Sequence, residues 1–156
     1  MITQRLIHDI RAVGEPKGQP RPRAFIKKGK GGTQRASVYE AGTAENWKSC
    51  VANACESLEG AGLAVPLMVS LTFYFPRPKF HFGTKGNVLT RWVASLFAKK
   101  PDVDNAAKAV LDTLTGIGVW VDDAIVTDQI TRKRFAAPGT APGCRIQIYE
   151  LTETIP

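Results

Sequence analysis

With 156 residues, 44% of them hydrophobic, the chain is long enough to bury one core and too short for several. It carries 21 Lys and Arg against 14 Asp and Glu, a formal net charge of +7, which is a common electrostatic footprint of nucleic-acid binding and is also compatible with mere solubility or an anionic membrane surface. A membrane span is excluded, because the longest apolar runs, such as 67–75, are far too short. The start, Met1-Ile2-Thr3-Gln4-Arg5, is not that of a signal peptide, and Cys50, Cys55 and Cys144 form no CxxC pair; a sparse, odd count suits a reducing cytosol and argues against structural zinc.

In chain order, residues 5–13 alternate, with Leu6, His8, Ile10 and Ala12 on one side and Ile7, Asp9, Arg11 and Val13 on the other, which predicts a strand. Pro16, Pro20 and Pro22 make 14–23 a loop or irregular edge. A short strand over 24–28, a mobile glycine-rich basic turn over 30–35 and a return strand at 37–39 follow. Thr43 is placed to cap a helix, Glu45 suits its first turn, Trp47, Val51, Cys55 and Leu58 recur at the helical period, and Gly60 or Gly62 stops it. The clearest strand is 67–75, ended by Pro76 and Pro78.

Residues 77–100 read as a long functional loop that mixes Arg77, Lys79, His81, Lys85, Arg91, Lys99 and Lys100 with Phe80, Phe82 and Trp92. A helix over 104–115 presents Ala107, Val110, Leu111 and Leu114 as one apolar stripe and ends at Gly116 and Gly118. Strands over 125–134 and 144–151 complete an α+β pattern: one domain over 1–156, a small mixed sheet packed with two main helices.

Five of the 14 acidic residues fall between 102 and 123 in this otherwise basic chain. Asp104, Lys108 and Asp112 stand at i, i+4 and i+8 and share a helical face opposite the stripe, while Asp122-Asp123 follows after a short connection. Two carboxylates ~4 Å apart repel by about 4 kcal/mol at an effective dielectric near 20, a penalty that a divalent cation removes. Phosphodiester hydrolysis needs a nucleophilic water, charge relief at phosphorus and a stabilised leaving oxygen, all of which a carboxylate-held divalent cation supplies, so the pattern points to a metal-dependent nuclease. Each member also has a plain reading: Asp102 or Asp104 as a helix cap, Asp104 with Lys108 as a surface pair, Asp112 as a solvated residue, Asp122-Asp123 as a turn.

The run Lys100-Pro101-Asp102-Val103-Asp104-Asn105-Ala106-Ala107-Lys108, continuing to Leu114, and then Val119-Trp120-Val121-Asp122-Asp123-Ala124-Ile125-Val126, resembles the RusA-type Holliday junction resolvases. Weaker agreement extends to Pro16-Lys17-Gly18-Gln19-Pro20-Arg21-Pro22-Arg23 and Arg77-Pro78-Lys79. The resemblance implies a RusA-like homodimer that resolves four-way DNA junctions by paired symmetric nicks. It also implies a bacterial cytoplasmic setting with phage or prophage origin, and Mg²⁺, with Mn²⁺ as a substitute, as the cofactor. By the same resemblance Asp102, Asp104 and Asp123 are catalytic metal ligands, Lys108 assists at the phosphate and Asp122 is auxiliary. The basic stretches offer Arg21, Arg23, Lys27, Lys28, Arg77, Lys79, His81, Lys85, Lys99 and Lys100 to DNA, with Phe80, Phe82 and Trp92 as stacking platforms. Arg132-Lys133-Arg134 reads as an edge decoration or a further phosphate contact. No organic cofactor or membrane partner is expected. Two other functions remain open: a branched-DNA-binding module without catalysis, and a metal-dependent nuclease acting on structured RNA.

Overall fold

The computed structural model describes residues 1–20, 22–32, 34–40 and 44–156; the side chains of 22–28 and 35–40 lie outside that description. Among the described residues there are six strands: β1 (Ile2–Val13), β2 (Pro22–Lys28), β3 (Gln34–Glu40), β4 (Leu67–Phe75), β5 (Val126–Phe135) and β6 (Gly143–Glu153). The helices are α1 (Glu45–Ala54), the single turn α2 (Thr90–Val93) and α3 (Val103–Gly116). Four strands form a mixed sheet in the order β1-β6-β4-β5, antiparallel except for the parallel pair β4/β5, and β2 pairs with β3 as a separate antiparallel hairpin. This is the expected small α+β fold.

Alternation in β4 sets the core. Leu67, Val69, Leu71 and Phe73 are fully buried and meet Ile146 and Ile148 of β6, Trp47 and Val51 of α1, and Val110 and Leu114 of α3. Each such side chain contributes roughly 1.5–3 kcal/mol on burial, far more than any exposed ion pair. On α3 the buried face is wider than the predicted stripe, since Ala106 and Ala109 are buried as well, while Leu111 is only partly covered. Small alanines there let the helix lie close to the sheet.

Three sequence expectations are corrected in detail. The alternation of β1 is broken by a bulge: Leu6 pairs with Tyr149 and His8 with Ile148, so Ile7 is the extra residue. Ile7 and Ile10 therefore pack on the core, and Leu6 is turned outward. At the start of α1 the cap position is held by Ala44, with no side-chain cap bond, and Thr43 lies outside the described residues. Helix α1 also stops at Ala54, before the predicted glycines, and continues as a 3₁₀ turn at Glu56–Leu58 that buries Leu58.

The segment 77–100 is the largest departure from expectation. A 3₁₀ turn at Lys79–His81 and the single turn α2 wrap it around a ring cluster. His81, only 4% exposed, stacks on Trp92 with centroids 4.6 Å apart and planes 5° apart, and Phe80 meets both rings edge-on. Arg77 Nη1 donates to the Trp92 carbonyl at 2.9 Å and lies 3.1 Å from His81 Nδ1, while its guanidinium covers the Phe135 ring. Phe97 stacks on Phe75 with centroids 4.0 Å apart. His81, Arg77 and Trp92 thus hold the loop to the sheet. His81, offered to DNA on sequence grounds, is buried in this cluster, whereas Arg77 and Trp92 keep part of their surface exposed.

Burial among rings, with the cations of Arg77 and Lys99 adding to it, holds the His81 imidazole below its usual 6.5. The fold therefore favours the neutral ring. Its stabilising contribution is complete above pH 6.5 and is given up as pH falls through the lowered folded value. Thermal melts from about pH 7 to about pH 5 are expected to show a larger loss in the wild type than in His81→Phe; equal slopes would remove His81 as the cause.

Candidate active site

Helix α3 carries the site because its exposed face is acidic and cationic at helical spacing. Asp104, Lys108 and Asp112 stack along it, and Lys108 Nζ lies 3.1 Å from an Asp112 carboxylate oxygen. With side chains 61% and 32% exposed, this pair contributes only a few tenths of a kcal/mol. Its effect is geometric: it holds the ammonium over the helix.

A Schellman closure ends α3. Val119 N–H donates to the Leu114 carbonyl and Gly118 N–H to that of Thr115, both at 3.0 Å, with Gly118 at φ +76°. Residues 117–119 then bond to the 60–63 segment: Gly60 N–H to Ile117 O at 2.9 Å, Gly62 N–H to Gly118 O at 3.0 Å and Leu63 N–H to Val119 O at 2.9 Å. Trp120 is buried, and its Nε1 donates to Thr115 Oγ1 at 2.8 Å. This reversal brings the acidic turn back beside the helix. Asp122 accepts from Ala124 N–H at 2.8 Å and caps the 3₁₀ turn Asp123–Ile125, which is the plain turn reading for that residue.

The result is an open cleft of about 170 Å³ lined by Asp104, Ala107, Lys108, Leu111, Asp112, Asp123 and Gln129. Asp104 and Asp123, 19 positions apart, both line it together with Lys108. Asp102 does not line it. It occupies the N-cap position of α3 without a cap bond, and its carboxylate lies 3.7 Å from Lys100 Nζ. Among the described residues no three His, Cys, Asp or Glu side chains are grouped closely enough to hold a metal ion. Gln129, on β5, was missed because a lone glutamine on a strand gives no sequence signal.

The chain before α3 is fixed from two sides. Gln19 N–H donates to the Asn105 carbonyl at 3.0 Å, and a Cβ built at Gly18 would fall 2.8 Å from Asn105 Nδ2 and 3.0 Å from Pro101 Cβ. From β5, Lys133 Nζ donates to the carbonyls of Lys99 at 2.6 Å and Pro101 at 2.8 Å. Lys133 is therefore turned inward, unlike Arg132 and Arg134, which are exposed. Of the residues offered to DNA, Lys79, Lys85, Lys99 and Lys100 are exposed, whereas Arg21 and the side chains of Arg23, Lys27 and Lys28 lie outside the described residues.

The family described as Endodeoxyribonuclease RusA matches residues 14–149, and the chain belongs to that family. It is thus a RusA-type Holliday junction resolvase by descent, with the nuclease activity that the family carries. No curated protein matches the chain. No helix among the described residues is long and apolar enough to cross a membrane.

Gly118→Ala forces a left-handed residue to carry a Cβ and is expected to cost about 1–2 kcal/mol in urea unfolding. Gly116→Ala, at the last position of α3 with open space around it, should be neutral or slightly stabilising. Equal effects of the two would remove Gly118 as the closure that returns the acidic turn.

Proposed function

We propose that the cleft between α3 and the 122–125 turn is the nicking centre of a divalent-metal-dependent endonuclease acting on four-way DNA junctions. The observation that carries this reading is the convergence of Asp104, Lys108 and Asp123 in one cleft. Two of its donors are the hard carboxylate oxygens of Asp104 and Asp123, and one or two carboxylates, with waters and substrate phosphates, are what Mg²⁺ or Mn²⁺ takes. Asp104 and Asp123 would hold the cation; Asp102, two residues upstream at the start of the helix, lies outside the cleft beside Lys100 and would join them only by turning from that lysine. When bound, the cation supplies Lewis acidity to a phosphodiester.

The chain's own groups do the rest. Lys108 is steered by Asp112 and places a positive charge where the scissile phosphate gains negative charge. Lys79, Lys85, Lys99 and Lys100 are exposed cations for flanking phosphates. Asp122 acts on the backbone, shaping the turn that presents Asp123. Paired symmetric nicks need two such centres, so the acting species is a two-fold homodimer of this single-domain chain in a bacterial or prophage setting.

Asp104→Asn keeps size and helix geometry and removes one ligand charge. It is expected to abolish Mg²⁺-dependent nicking of a labelled synthetic junction while leaving junction binding within about twofold. Normal cutting by this variant would move the centre elsewhere, and absence of cutting by the wild type with any divalent ion would leave a binding module. Preference for structured RNA offered beside the junction would point to an RNA nuclease.

A further inference from the structure

We infer that Lys133 is a positioning residue that fixes the approach of the chain to Asp102 and Asp104; the inference rests on the acidic cleft being the nicking centre. Lys133 sits on β5 opposite Phe73 of β4, in the row Gln129, Thr131, Lys133, Phe135 that shares one face of the strand. Gln129 lines the acidic cleft, and its Nε2 donates to Thr131 Oγ1 at 2.8 Å. Two positions beyond Thr131, the Lys133 ammonium spans the carbonyls of Lys99 and Pro101, at 2.6 and 2.8 Å. The Phe97 ring lies 5.3 Å from the same nitrogen. Asp102 follows Pro101 directly.

Two of the three ammonium hydrogens are thereby used on backbone oxygens, and an aromatic face is close to the charge. Hydrogen bonds from a charged donor are among the stronger ones in proteins. They act here on a segment that precedes a helix and has no ladder partner of its own. One strand therefore sets both the wall of the cleft, through Gln129, and the register of the acidic helix start, through Lys133. Opposite, Gly18 and Gln19 close on Pro101 and Asn105, so the segment is gripped between the N-terminal loop and β5.

This role differs from a phosphate contact by Lys133. A phosphate contact contributes to junction affinity and to its salt dependence. A grip on the backbone contributes to neither and acts on the rate at which bound junction is cut. Displacing catalytic carboxylates by about 1 Å costs up to about a hundredfold in rate.

The test compares wild type, Lys133→Met and Lys133→Arg in three measurements. Amide hydrogen exchange without metal is expected to speed up in the peptide covering 99–109 of Lys133→Met, with β4 and β6 unchanged, and to return towards wild type in Lys133→Arg. Single-turnover cutting of pre-bound junction in Mg²⁺ is expected to fall by about tenfold to a hundredfold in Lys133→Met. Junction affinity in Ca²⁺ and its slope against salt are expected to stay unchanged. Unaltered exchange in 99–109, or a salt slope reduced by about one, overturns the inference. A wild type that cuts no junction removes the nicking-centre reading instead, while the exchange comparison still decides whether Lys133 holds the segment. Should Lys133→Met not fold, Lys133→Gln takes its place with the same expected directions.

Discussion

Parallel pairing of β4 with β5 is the constraint on which the site depends. An antiparallel neighbour can follow through a short turn, but a parallel one requires the chain to travel back along the sheet before it starts again. Here that return runs from Phe75 to Val126 and contains the ring-packed loop, α3 and the acidic turn. Helix α3 covers the sheet through Val110 and Leu114, so its opposite face is obliged to look outward. The acidic residues occupy that outward face. The end of the return then lies beside the helix, because β5 begins next to Leu67, and residues 117–119 are bonded to 60–63 just upstream of it.

The electrostatics follow from this layout. Five acids crowded into 22 positions of a chain with net charge +7 would be a liability in a core, and the fold keeps them at the surface. Lys100 approaches Asp102 and Lys108 pairs with Asp112, so cations are interleaved among the acids. A phosphate backbone drawn by the overall positive field meets a narrow acidic strip with lysines on its rim. In the proposed reaction a cation lodged in that strip would offset the repulsion between its carboxylates and the scissile phosphate, while the lysines on the rim carry the binding.

Much of the scaffold was legible beforehand. Strand β4 was readable to the residue because its alternation is uninterrupted and prolines end it. The apolar period and terminal glycines announced α3. Strand β1 was misread in phase because one inserted residue, Ile7, reverses the faces without altering composition. The 77–100 segment gave no periodic signal because its order comes from ring stacking and from one arginine bonding a distant carbonyl. Of the acids and the lysine singled out by spacing and resemblance, Asp104, Lys108 and Asp123 line one cleft and Asp102 does not. Lys133 looked like surface charge, since nothing local marks a lysine whose partners are carbonyls 32 and 34 positions earlier.

The hairpin of β2 and β3 shares no ladder with the main sheet, and its turn carries Gly31 and Gly32 at positive φ with open space about them. Its length is therefore decoupled from the floor that holds the acids. Insertions and deletions at that tip change how far a basic arm extends while leaving every core register intact.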